Sequence, residues 1–210
     1  MRDWASWHAA YDDPSSPLSA RLRQVRLRLS EAIDRAPSGP VRLVSLCAGQ
    51  GHDVIGVLPG HLRRADVHAI LVESDPRNAD RARRAAAQAG LPQVEVREAD
   101  AAAVDSFADA LPADVLLLCG IFGNVSDQDI RRTVDASATM CSPGATVIWT
   151  RHRRPPDLTP QIRAWFAASG FEEIAFDGLG TSTLLGVGAN RLRSAAASGL
   201  PSGPLFTFRR

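Results

Sequence analysis

Short apolar runs bounded by glycine, proline or an acid recur along this chain, and between them stand longer stretches with apolar residues three and four positions apart. The runs read as buried strands and the stretches as amphipathic helices. Val41 to Gly51 is a strand running into a glycine turn, followed by strands at Val67 to Val72, Val94 to Arg97, Asp114 to Leu118, Ala145 to Trp149 and Phe171 to Phe176. Helices are expected from Ser16-Pro17, with Leu18, Leu22, Val25, Leu29 and Ile33 on the buried face, and over His52 to Leu58. Others run from Pro76 to Ala89, from the capping pair Ser126 and Asp129 to about Thr139, and from Thr159-Pro160 to Gly170. Asp177 to Pro204, rich in Gly, Ser and Ala, reads as a long loop, and Leu205 to Phe208 as a final strand. Strands alternating with helices predict a doubly wound sheet whose ligands gather at the carboxyl ends of the strands.

Two polar patterns modify this picture. Trp4, Trp7, His8 and Tyr11 fall on one face of a short N-terminal helix, which either packs on the domain or forms a lid over substrate. Arg21, Arg23, Arg26 and Arg28 point mostly away from the buried face of the next helix and read as a solvated face. The expected organisation is an N-terminal helical cap over residues 1–36 and a main domain over residues 37–210, together one globular unit.

The strand ends carry the candidate chemistry. Gly49 and Gly51 let the backbone turn sharply and approach a ligand with no Cβ between. Glu73 ends the second strand 22 positions after Gly51 and suits an acid that accepts from two ribose hydroxyls. Asp100, just after the third strand, suits an acid that accepts from an adenine amino group. An apolar strand with a glycine loop at Leu46 to Gly51, an acid at Glu73 and an acid at Asp100 resembles the class I S-adenosylmethionine-dependent methyltransferases over roughly Val41 to Phe176. The chain departs from the family's pattern at Ser45, where an acid often stands, and at Cys47, the place of the first loop glycine.

The resemblance implies a mostly parallel, Rossmann-like seven-stranded sheet with helices on both faces and an antiparallel last strand. It also implies S-adenosyl-L-methionine as cofactor, contacted by Cys47, Ala48, Gly49, Gly51, Glu73, Ser74, Asp100, Ala101, Cys119 and Gly120. The acceptor would meet it near the fourth strand's end. Asn124 there is placed to orient an acceptor. Arg151 and His152 follow the fifth strand on the same edge. His152 is a candidate general base, Arg151 a candidate clamp for an acceptor carboxylate or phosphate, and a plain structural turn is the third reading. Trp7, His8 and Tyr11 from the aromatic stripe, and Asn190 and Arg191 from the long loop, are the remaining candidates for substrate contact.

Composition narrows the function further. A net charge of +1 speaks against a dedicated nucleic-acid or membrane-surface protein and favours a small-molecule acceptor. The chain has no lysine, which excludes a P-loop lysine, a Schiff-base lysine and pyridoxal phosphate attachment. Cys47, Cys119 and Cys141 are too widely spaced for a metal motif and are expected to be reduced, in a cytoplasmic protein, monomeric or homodimeric. No apolar leader or membrane-spanning stretch is expected. The rival enzyme reading, a NAD(P)-dependent oxidoreductase, needs a third loop glycine where Val54 stands. A non-catalytic nucleotide sensor is the rival from another class.

Overall fold

Ser16 and Pro17 open the first helix, α1 (Pro17–Arg35): the Ser16 Oγ accepts the Ser19 amide at 3.1 Å, and proline sits where no helical amide bond is required. The computed structural model describes Asp13 and residues 15–179, 184–194 and 199–209. Trp4, Trp7, His8 and Tyr11 therefore lie outside the described residues.

Seven strands form one sheet: β1 (Val41–Leu46), β2 (Val67–Glu73), β3 (Val94–Glu98), β4 (Ala113–Leu118), β5 (Cys141–His152), β6 (Phe171–Leu179) and β7 (Leu185–Leu192). Their order is β3-β2-β1-β4-β5-β7-β6. The first five pair in parallel, and β7 runs antiparallel to both β5 and β6. The direction of winding reverses between β1 and β4, which makes the carboxyl edge there a crevice for ligands.

Strand residues alternate between two helical layers, because successive side chains on a strand point to opposite faces. Val41 and Leu43 of β1 and Val115 and Leu117 of β4 pack with Val25, Leu29 and Ile33 of α1, Val54 of α2 (Val54–Val57), and Ala79 and Ala82 of α3 (Pro76–Gln88). Val44 and Leu46, with Leu116 and Leu118, pack on the other side with Ile130 and Val134 of α4 (Asp127–Met140) and Ile162 and Phe166 of α5 (Thr159–Ala168). Residues 17–35 of the stretch expected as a cap thus contribute to the core of the main fold.

Several expectations are corrected. The antiparallel strand is Leu185–Leu192, inside the expected loop, whereas Leu205 to Phe208 forms no sheet strand and makes one bridge, Phe208 to Val125. The glycines that made β7 read as loop are required by packing: a Cβ at Gly188 would meet Trp149 Cε2 at 2.2 Å, and one at Gly186 would meet Phe176 Cζ at 2.9 Å. β5 continues past Trp149, so Arg151 and His152 are its last residues rather than part of a following turn. The helix expected over His52 to Leu58 is one short turn, Val54–Val57, tightening into a 3₁₀ turn at Leu58–Gly60. The arginine face of α1 is not simply solvated. Arg28 donates to both carboxylate oxygens of Asp177 on β6, each at 2.7 Å, and Arg26 donates to the His52 carbonyl at 2.6 and 2.9 Å.

Candidate functional site

The turn after β1 is built from three left-handed residues, Cys47 (φ 55°), Gly49 (φ 57°) and Gly51 (φ 72°). Cys47 keeps the backbone conformation that a glycine would adopt freely, at a cost of about 1–2 kcal/mol. The Ala48 amide donates to the Val72 carbonyl at 3.0 Å and the Gly51 amide to the Ala48 carbonyl at 2.9 Å, so the turn folds back over β2. Gly51 has a second reason to be glycine: a Cβ there would lie 2.7 Å from Ile55 Cδ1 and 2.9 Å from Leu71 Cδ2.

Glu73, the last residue of β2, is 8% exposed and is shared between two loops. Its Oε2 accepts the Gly49 amide and its Oε1 the Asp75 amide, both at 2.8 Å. Asp75 in turn caps α3 by accepting the Arg77 amide, and Arg77 beside it holds its carboxyl down at about 2. Ser74, between the two acids, is exposed. The Ala99 amide donates to the Glu73 carbonyl at 3.1 Å, which carries the β3 loop to the same edge. There the Asp100 side chain is exposed and accepts the Ala102 amide at 2.8 Å, with Ala101 buried beneath. Burial, and then the charges of Glu73 and Asp100, push the Cys47 thiol far up, so it is a neutral thiol in the turn.

On the far side of β1, the loop after β4 is laced to the end of β5. The Gly120 amide (φ 79°) donates to Thr150 Oγ1 at 2.9 Å, Asn124 Nδ2 donates to the Gly120 carbonyl at 2.7 Å, and an Arg151 terminal nitrogen donates to the Phe122 carbonyl. A Cβ added at Gly120 would meet nothing, so the space beside its Cα is open, while its amide is held by Thr150. Cys119 packs with the α1 and α3 layer, and burial raises its thiol well above the ordinary range. His152 lies against Gly123, its Cδ2 3.8 Å from where a Gly123 Cβ would be. Its Nδ1 is buried without a partner among the described residues, and burial, helped by the Arg151 and Arg154 charges, lowers its pKa. The imidazole is therefore neutral at neutral pH.

The sheet thus brings Cys47, Ala48, Gly49, Gly51, Glu73, Ser74, Asp100, Ala101, Cys119, Gly120, Asn124, Arg151 and His152 to one carboxyl edge. It does not bring Asn190 and Arg191 there. β7 is antiparallel, so its later residues run away from that edge, and these two lie opposite Val147 and Thr146, near the start of β5. Asn190 is 1% exposed and accepts Trp149 Nε1 at 2.8 Å, while Arg191 pairs with Glu172 at 2.9 Å. Both contacts lie away from the carboxyl edge. Trp7, His8 and Tyr11 fall outside the described residues. Sequence reading missed Thr150, whose hydroxyl anchors Gly120, and the tail around Leu205 to Arg209. The tail's only signal was an apolar run, and that signal suggested a strand.

Val54 occupies the position of the third glycine of a dinucleotide loop, and its side chain is fully buried in the α1 and α3 layer. The close helix-to-strand approach which that glycine permits is therefore not made here. Among the described residues no group of histidine, cysteine and acid side chains is arranged to hold a metal ion, and no helix is long and apolar enough to cross a membrane.

No protein-family model and no curated protein matches the sequence. Solved structures do match. Magnesium protoporphyrin IX methyltransferase from Synechocystis PCC 6803 with bound SAM superposes with a TM-score of 0.71 at 11% identity, over 92% of each chain. An O-methyltransferase family protein from Burkholderia thailandensis gives 0.64 at 18% identity, over 83% of this chain and 56% of that one. An RNA methyltransferase from Salinibacter ruber in complex with S-adenosyl-L-homocysteine gives 0.53 at 19% identity, over 86% and 97%. The chain spans little more than half the length of the Burkholderia protein. The fold is that of the class I S-adenosylmethionine-dependent methyltransferases.

Proposed function

We propose that this protein is an S-adenosylmethionine-dependent methyltransferase acting on a small molecule. The observation that carries the reading is Glu73: a buried carboxylate at the carboxyl end of β2, next to the β1 turn, each of whose oxygens accepts one backbone amide. A carboxylate oxygen accepts up to two hydrogen bonds, so Glu73 keeps one direction on each oxygen for the two hydroxyls of a ribose. The residues of the edge fit the cofactor in the same way. Glu73 and Ser74 would hold the ribose, Asp100 and Ala101 the adenine, and the turn Cys47 to Gly51 with Cys119 and Gly120 would line the methionine end, the Ala48, Gly49, Gly51 and Gly120 amides being engaged within the protein. Solved structures of the same fold with bound SAM or S-adenosyl-L-homocysteine support this choice of cofactor.

When bound, S-adenosylmethionine supplies an electrophilic methyl group on a sulfonium. The chain's own work is alignment and proton removal. Alignment matters most, because an in-line displacement gains chiefly from holding the reactants at near-attack distance away from water. Asn124, fixed through Gly120, orients the acceptor. His152, neutral and at the end of β5, takes the acceptor's proton on Nε2. The net charge of +1 favours a small acceptor over a polyanion such as RNA.

Calorimetry of the purified protein against S-adenosylmethionine, S-adenosylhomocysteine, NAD and NADP tests the reading. Binding of the first two and not the last two is the expected result, and binding of NAD or NADP alone overturns it. Methylated product from a panel of small acceptors then separates an enzyme from a sensor.

A further inference from the structure

After β7 the chain returns to the carboxyl edge and is fastened along it. The Leu205 amide donates to the Ala102 carbonyl at 2.9 Å, Thr133 Oγ1 donates to the Leu205 carbonyl at 3.1 Å, and the Thr207 amide donates to Asp129 Oδ2 at 3.3 Å. Leu205 and Phe206 are buried, and the Phe208 ring meets that of Phe206 edge-on while staying 42% exposed. The Arg209 amide then donates to the Asn124 carbonyl at 2.8 Å. This strap runs from the loop after β3 to the loop after β4 and delivers Phe208 and Arg209 beside Asn124.

Arg151 stands on the same side with its charge unanswered. Among the described residues one of its five donors is used, on the Phe122 carbonyl, its Nε is buried without a partner, and no carboxylate lies within salt-bridge distance. Burial opposes its charge most; Asp127 and Asp157 favour it, and Arg209 opposes it. Both of those acids are already engaged. Asp127 lies 3.8 Å from Arg209, and Asp157 accepts from the Thr159 amide and hydroxyl and lies 3.5 Å from Arg153. Elsewhere this chain gives the partly buried Arg26 two bonds to the His52 carbonyl, and gives Arg28 and Arg97 each a carboxylate held by two bonds, Asp177 and Asp109. At Arg151 it gives no such carboxylate. A desolvated guanidinium next to a second arginine is stabilised by an anion that enters from outside.

Resting on the methyltransferase reading, we infer that the acceptor is a small molecule with an anionic group, and that Arg151 and the strap's Arg209 hold that group while His152 and Asn124 face the reacting atom. The exposed Phe208 ring offers the acceptor an apolar surface beside the two cations.

The test is a calorimetric titration with benzoate, phenyl phosphate and neutral benzamide, each with and without S-adenosylhomocysteine. At least one anion should bind at least about fivefold more tightly than benzamide, and Arg151→Gln and Arg209→Gln should each remove that preference while keeping S-adenosylhomocysteine affinity. Arg209 is exposed, so its variant answers even if Arg151→Gln disturbs the Phe122 loop. Which anion binds more tightly separates a carboxylate from a phosphate acceptor. Equal binding of benzamide, or an anion preference that survives in Arg209→Gln and in a folded Arg151→Gln, overturns the inference. Failure to bind S-adenosylhomocysteine strikes the cofactor reading instead, and the anion titration without it separates the two.

Discussion

The Glu73 carboxylate accepts the Gly49 amide at 2.8 Å, so the acid that ends β2 holds the turn that ends β1. A ligand that engages either of them is therefore felt by both. The second oxygen, on the Asp75 amide, extends the same unit into the cap of α3.

Glu73→Ala should weaken S-adenosylmethionine binding by about 1–3 kcal/mol, since it removes the acceptors of two hydroxyls and strands two backbone amides. Asp100→Ala should weaken it less, because that side chain is exposed and answers one amide. Titration calorimetry at one salt concentration checks both. Wild-type affinity in the two variants would place the cofactor elsewhere.

Gly51→Ala should destabilise the protein by about 1–3 kcal/mol, through the left-handed backbone and through crowding of Ile55 and Leu71. Urea denaturation of the variant measures it. An unchanged midpoint would mean that the turn relaxes without cost.

For His152 the sign of the pH effect follows from its lowered pKa. The base works when neutral, so turnover should be flat from neutral to mildly alkaline pH and fall only as pH drops below the ordinary histidine value of ~6.5. With an acceptor in hand, His152→Gln should reduce turnover ~10²–10⁴-fold and abolish that acid limb, while S-adenosylhomocysteine affinity is kept. A loss of less than about threefold would rule out the base.

The Arg28 and Asp177 pair ties α1 to β6, with each side chain about a fifth exposed (17% and 22%). Arg28 holds the Asp177 carboxyl below its ordinary value, so the pair's contribution is present above the unfolded carboxylate value of ~3.9 and is lost as pH falls through the lowered folded value. Asp177→Asn should cost about 1–2 kcal/mol at pH 7, discounted for partial exposure, and less as the solution is acidified. Denaturation curves at pH 7 and about pH 3 compare the two, and a difference that grows in acid contradicts the assignment.

Trp7, His8 and Tyr11 are proposed from the sequence as acceptor contacts, so removal of residues 1–13 should spare cofactor binding and abolish transfer. Single-turnover assays on the truncated protein decide it. Unchanged turnover returns Trp4, Trp7, His8 and Tyr11 to plain packing.

The sequence by itself determined what depends on local pattern. Apolar period placed β1 to β6 and the main helices, and Ser16, Ser126 and the prolines marked where helices start, because capping and strand burial act over a few neighbouring residues. Gly49, Glu73 and Asp100 were legible because a parallel sheet sends every strand end to one edge. Tertiary structure alone decided β7. Its Gly186 and Gly188 weaken a strand locally and were read as loop, yet they are what lets it pass Phe176 and Trp149. It also decided that Asn190 turns inward to Trp149, that Arg28 meets Asp177 across 149 positions, and that Leu205 to Arg209 is a strap and not a strand. Those are contacts between segments distant in sequence, and no local periodicity encodes which side chain a residue will meet once the sheet has closed.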